Sequence, residues 1–338
     1  MSPKLSNRFI HGVFATLLLS MGPLGTPIHV LAQDSSDAPP PEGALFLLLP
    51  VGAEAVSLGR AMTTVSSAES AFWNPAGLAK LERTEVVVMR GDPLAGESTT
   101  LSWLISRQPA GVIGVSYHLL DGGEQSLVDD QGNVRGEFSI RSHVGIVSVA
   151  TTMTPWLDIG LNMKVVRFNL NCRGQCDDAG VQASGWAGDL GFQSRPFENL
   201  PLRFGAMLAH FGPKFQVVNA AQADPLPTRL RLSAAYEVLQ HFDPPADLAL
   251  WVRVEAEDRW REFGESRSNY VGVELVAGST DKIFLRAGRA KEERKESAEI
   301  AFGLGLRYER FELALARSFA SSLLEGTEPV YVSFGIRF

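Results

Sequence analysis

Beyond Arg83 the chain runs in segments of roughly ten residues, with apolar positions alternating with polar or small ones and turn residues between segments. The pattern predicts strands over 84–90, 98–107, 110–119, 137–151, 157–168, 183–193, 201–210, 228–238, 247–257, 269–277, 282–290, 298–308, 311–319 and 329–338. Alternation is cleanest near the C-terminus. Ile300, Phe302, Leu304, Leu306 and Tyr308 share one face, and Glu299, Ala301, Gly303, Gly305 and Arg307 the other. Val330, Val332, Phe334, Ile336 and Phe338 oppose Tyr331, Ser333, Gly335 and Arg337, and Leu248, Leu250, Val252 and Val254 oppose Arg253 and Glu255.

A soluble sandwich has the same period, so the polar face has to decide. It is rich in glycine and alanine and mixes both charge signs, which suits a crowded, hydrated lumen. The connections after strands 2, 4, 10 and 12 are tight, whereas those after strands 3, 5, 7, 9 and 13 (120–136, 169–182, 211–227, 258–268 and 320–328) are long. Short turns at one end and long loops at the other mark an outer-membrane barrel. The expected fold is therefore all-β, a fourteen-stranded antiparallel transmembrane β-barrel over 84–338. Arg229, Arg231, Arg253, Glu255, Glu274, Glu299, Arg307, Glu312 and Arg337 are assigned to the lumen, because an arginine facing lipid costs roughly 2–4 kcal/mol near the midplane. Trp103, Trp156, Trp186, Trp251, Tyr270 and Tyr308 are available for interfacial girdles or for ordinary packing.

Fourteen strands enclose a lumen too wide for side chains alone to fill. The segment 43–83, directly before the first strand, has the bulk to enter it as a hatch. Its centre is Phe72-Trp73-Asn74-Pro75-Ala76-Gly77-Leu78. Asn-Pro initiates a turn, Gly77 has no Cβ to obstruct a close approach, and the flanking large apolar groups call for burial. Gly52–Met62 carries the small-residue period of a short helix.

Upstream, residues 1–32 have the form of a secretory leader. Lys4 and Arg8 give a basic start, Phe14–Met21 an apolar core, and Val30-Leu31-Ala32 a cleavage site. Removing it deletes two basic residues and no acidic one, so the formal charge of −7 becomes −9. That balance excludes a phosphate-binding or nucleic-acid-binding face. Residues 33–42, polar and proline-rich, read as a flexible tail. The six histidines are scattered without metal-ligand spacing, and no cofactor is implied.

Pro50–Met62 followed by Trp73-Asn74-Pro75-Ala76-Gly77-Leu78-Ala79 resembles the N-terminal region of the PorV/PorQ group within the FadL-like outer-membrane barrels. The Asn-Pro-Ala-Gly-Leu block matches fully. The chain departs from the pattern at Glu54, Leu58 and Arg60, where arginine, methionine and glycine are usual, and Arg60 cannot repeat glycine's close backbone approach. The resemblance implies a fourteen-stranded barrel with an N-terminal hatch in the bacterial outer membrane. It implies one of two functions. The first is passage of small hydrophobic molecules of the fatty-acid or hydrocarbon class. The second is service to type IX protein secretion as a shuttle or assembly partner.

The first function predicts an apolar pocket beneath the loops that carry Phe211, Phe215, Val217 and Val218; the second predicts a lumen closed throughout. Hydrolysis is the third class considered. Ser116 and His118 share a face of strand 3, but no orienting carboxylate and no Gly-x-Ser-x-Gly elbow accompany them, so the chain does not read as an enzyme. Cys172 and Cys176, the only cysteines, are expected to pair as a local disulfide in an oxidising compartment. Phe338 ends an alternating strand, the signal read by the barrel-assembly machinery. The expected surroundings are outer-membrane lipid.

Overall fold

The computed structural model describes residues 41–93, 96–176, 180–217, 223–242, 247–264, 266–293, 298–320 and 328–338. The leader, residues 33–40 of the tail and Val218 lie outside them. The described chain contains fourteen strands in order: β1 (Glu85–Gly91), β2 (Glu97–Ser106), β3 (Val112–Val128), β4 (Val134–Thr154), β5 (Leu157–Gly174), β6 (Gly180–Ser194) and β7 (Leu202–Phe211), then β8 (Arg229–Glu237), β9 (Leu248–Arg259), β10 (Ser268–Ala277), β11 (Lys282–Lys291), β12 (Glu299–Tyr308), β13 (Phe311–Ala320) and β14 (Val330–Arg337). Each pairs antiparallel with its neighbours in sequence, and β1 closes on β14 from Glu85↔Arg337 to Gly91↔Tyr331. Closure leaves no sheet edge with unpaired backbone groups, the condition for spanning hydrocarbon with strands. Among the described residues no helix is long and apolar enough to cross a membrane.

Burial reverses the order of a soluble protein. On β12, Phe302 is 55% exposed and Ala301 2%, and the same alternation repeats on β2, β3, β5 and β13. Outward positions carry leucine, valine, isoleucine and phenylalanine, while buried inward positions carry Ser102, Ser116, Asn162, Glu255, Glu274 and Arg286. An apolar outer band over a polar interior suits acyl chains outside and water or protein inside. Trp103, Trp156, Trp186 and Tyr308 are about half exposed on the outer surface. Tyr270 is not a girdle residue: it points inward and is buried, because its position on β10 shares parity with the inward Ser268 and Glu274.

Strands β3 to β6 are longer than their apolar pattern predicts. Pairing continues through Gln125↔Phe138 and Ser139↔Asn171, so most of 120–136 and 169–182 is paired ribbon rather than loop. Beyond the lipid no face has to be apolar, and the alternation that reveals the strand disappears. Cys172 consequently sits on β5, and its disulfide to Cys176 spans a Cα–Cα distance of 6.3 Å where the ribbon ends. Phe338 is exposed, and its N–H donates to Thr84 O across the closing seam (2.8 Å).

Candidate functional site

Residues 52–81 fold as α1 (Ala53–Ser57), α2 (Ser70–Trp73) and a 3-10 segment, Pro75–Lys80. The expected helix over Gly52–Met62 stops at Ser57, because Gly59 and Arg60 adopt left-handed backbone conformations (φ 57° and 68°). α1 packs on β11 to β14 and the 3-10 segment on β4 to β6, so the segment touches opposite walls. Its own apolar cluster joins Ala55, Leu58, Met62, Val65 and Trp73. A second cluster ties Ala71, Leu78 and Leu81 to Val87, Met89 and Leu104 of the wall.

Asn74 fixes the tip. Its side chain accepts from the Ala76 N–H (3.1 Å) and donates to Thr63 O (2.7 Å) and Phe192 O of β6 (3.1 Å). The tip reaches the wall only because glycine lines it. A Cβ on Gly191 would lie 2.0 Å from Asn74 Oδ1, and one on Gly160 2.2 Å from the Pro75 carbonyl carbon. Phe72 meets His118 edge to face, with ring centroids 6.3 Å apart. Trp73 Nε1 donates to Val51 O (2.9 Å), and the Arg231 guanidinium lies 4.7 Å from the Trp73 ring centroid.

Three of the charges assigned to the lumen, Arg231, Glu255 and Glu299, bind this segment directly. Arg231 pairs with Glu255 (2.8 Å) and donates to Arg60 O (3.2 Å), while Glu255 accepts from the Thr63 N–H and Oγ1 (both 2.8 Å). Arg286 joins Glu54 of α1 (2.9 Å) to Glu274 (2.7 Å), which also pairs with Arg253 (2.8 Å). Arg60 pairs with Glu299 (2.9 Å) and Glu292. Arg307 pairs with Glu312 (2.7 Å), and Arg337 donates to Glu309 O (2.9 Å).

Glu69 acts as a remote cap for α1: its carboxylate accepts from the N–H groups of Glu54 (3.2 Å) and Ala55 (2.9 Å) and from Ser333 Oγ (2.7 Å). Burial, with Glu54 adding like charge, pushes the Glu69 carboxyl up to about 7. Burial also raises Glu54, against the pull of Arg286.

The β6–β7 seam is irregular. Register slips between Gly188↔Phe211 and Leu190↔Leu208, and His210 takes a left-handed conformation (φ 56°). Asp189 fills the break. It accepts from the His210 N–H (2.9 Å), Asn162 Nδ2 (2.7 Å) and Lys164 Nζ (2.7 Å), and Asn162 also donates to Ala71 O (2.9 Å). Nothing in the alternation identifies this cluster; a buried aspartate on an inward position is its only sequence trace.

Beside Phe72 and Trp73 lies a cavity of about 160 Å³. Its lining is mixed: Leu45–Leu49, Val51, Phe72, Trp73, Val144, Ile146 and Met207 are apolar, and Arg60, Lys164, Arg229, Arg231 and Arg259 stand among them with Glu42, Glu257, Glu292 and Glu293. The loop residues expected to face a ligand are placed differently. Phe211 lies over Gly188, where a Cβ would meet its ring at 2.6 Å. Phe215 is buried with Leu226, Val166 and Ala187, with Val217 packed alongside. None of the three lines the cavity. His118 lines it and bonds Thr100 Oγ1 (2.8 Å), whereas Ser116 is buried and does not. Among the described residues no group of three His, Cys, Asp or Glu side chains is arranged to hold a metal ion.

No family model matches the chain, and no curated protein matches it either. Solved structures do match. The monoaromatic hydrocarbon channel CymD aligns over 86% of this chain and 98% of its own, with TM-score 0.59 and 13% identity. The toluene transporter TodX of P. putida aligns over 83% and 98%, with TM-score 0.56 and 12% identity. A FadL homologue of Pseudomonas aeruginosa aligns over 86% and 98%, with TM-score 0.55 and 10% identity. At these identities the likeness is one of fold, and the fold is that of a FadL-like closed barrel of fourteen antiparallel strands.

Proposed function

We propose that the protein resides in the bacterial outer membrane and passes small hydrophobic molecules of the hydrocarbon or fatty-acid class. The observation that carries this reading is the cavity of about 160 Å³ between the apolar hatch residues and the wall. It is of the size at which an engineered apolar cavity of roughly 150 Å³ admits benzene. A secretion shuttle without cargo would have no use for such a space. The fold shared with the hydrocarbon channels supports the same reading. The Trp73–Ala79 block supports kinship with the PorV/PorQ group in the plan of the hatch, with the activity on the FadL side. Outer-membrane lipid bathes the apolar band, and Phe338 serves as the signal to the barrel-assembly machinery.

The test is equilibrium binding of butylbenzene to the full chain purified in detergent. The wild type should bind saturably, and Ile146→Trp, which fills the cavity from an inward position on β4, should weaken binding at least tenfold. Absence of saturable binding, or equal binding by the filled variant, would reject the proposal.

A further inference from the structure

One side of the cavity is closed by the chain's own N-terminal strap, Glu42–Leu49. Glu42 presents both carboxylate oxygens to the Arg229 fork at 2.7 Å each, and the Arg229 guanidinium lines the cavity. Arg229 also donates to Thr228 O (3.3 Å) and lies 3.8 Å from Glu257. The Gly43 N–H donates to Pro225 O (2.9 Å), which ties the strap to the β7–β8 connection. Four and five residues beyond Glu42, Phe46 and Leu47 pack into the apolar cluster around Phe215 and Leu226. Bidentate pairing is the preferred geometry of a carboxylate on arginine. A carboxylate on an arginine fork with apolar groups in an adjoining buried cluster is also how a long-chain carboxylate would lie.

We propose that the strap is a built-in competitor for anionic amphiphiles. A long-chain carboxylate would displace it, placing its head on Arg229 and its chain in the space that Phe46 and Leu47 vacate. With the strap in place the cavity of about 160 Å³ is of a size for a neutral single-ring molecule such as an alkylbenzene and not for a long-chain carboxylate, so the strap divides ligands into two classes. This inference rests on the proposed passage of hydrophobic molecules and deepens it. It also assigns Arg229 as the residue that distinguishes a charged head from a neutral one.

The structure supplies the tether for a test. A Cβ on Gly43 would lie 3.3 Å from Asp224 Cβ, close to the separation in a disulfide. The Gly43→Cys/Asp224→Cys variant of the full chain would be titrated with hexadecanoate and with butylbenzene, oxidised and then reduced. Wild-type protein under the same reductant controls for Cys172–Cys176. Oxidation should lower hexadecanoate affinity at least tenfold and reduction restore it, with butylbenzene binding unchanged in both states. Glu42→Ala should tighten hexadecanoate severalfold. Arg229→Gln should erase the preference for hexadecanoate over hexadecanol. Retained butylbenzene binding with hexadecanoate indifferent to the tether and to Glu42→Ala would overturn the strap proposal alone. Failure of the wild type to bind either molecule would overturn the functional reading and the strap with it.

Discussion

Asn74 is the side chain on which the hatch tip turns, since it is fully buried and serves three backbone groups at once. Asn74→Ala removes the acceptor of the Ala76 N–H and a donor to Phe192 O, while Thr63 O keeps Gln193 Nε2 (3.0 Å), at about 1–3 kcal/mol for a buried group left unpaired. Hydrogen exchange across 63–81 should therefore accelerate at least tenfold while the strand amides stay protected. Gly191→Ala, with its Cβ at 2.0 Å from Asn74 Oδ1, should give the same local signature from the wall side. Arg60 shows that a departure from a family pattern need not be a loss. It keeps the left-handed backbone that glycine favours and uses its side chain to pair with Glu292 and Glu299. Arg60→Gly and Arg60→Ala both forfeit the pairs, but only alanine keeps the backbone strain, about 1–2 kcal/mol. The glycine variant should be the more stable of the two in a thermal melt.

At the scale of elements, α1 docks through Glu69, whose carboxyl sits at about 7 in the folded chain against 4.5 for the free side chain. A raised carboxyl binds its proton more tightly when docked than when free. Its stabilisation is complete below about pH 4.5 and is lost as pH rises through about 7, by about 3 kcal/mol at most. Exchange of the α1 amides, corrected for intrinsic rates, should show docking weakening between pH 5 and 8, and Glu69→Gln should flatten that dependence. The strand elements were largely legible, because alternation is obligatory wherever a wall separates lipid from lumen. It stops being obligatory on the outer halves of β3 to β6, and there the sequence reads as loop. The turn at Asn74-Pro75-Ala76-Gly77 was legible, since Asn-Pro announces it and Asn74 caps the 3-10 segment that follows. The strap was not, since Ala44–Val51 shows only a short apolar run with no sign of its partners. Asp189 was equally hidden, because a register slip is a property of the pair β6–β7 and neither strand announces it alone.

At the largest scale, the fourteen strands close into a barrel with an apolar outer face and a polar inner face, on which residues of α1 and Pro75–Lys80 pack. The exterior has a direct consequence. Leu304, paired with Leu285 and Leu315 in mid-strand, should cost roughly 2–4 kcal/mol when replaced by arginine, read as a shift in the urea midpoint for folding into bilayers. Replacing inward Ala301 would act through packing on the plug and not through lipid. The central claim is passage of hydrophobic molecules by way of the cavity beside Phe72 and Trp73, and uptake tests it most directly. Accumulation of radiolabelled butylbenzene should be followed in cells whose outer membranes carry the wild type, Ile146→Trp or no barrel, at matched expression. The account predicts uptake severalfold above background for the wild type and background rates for the filled cavity. Equal rates in all three would contradict it.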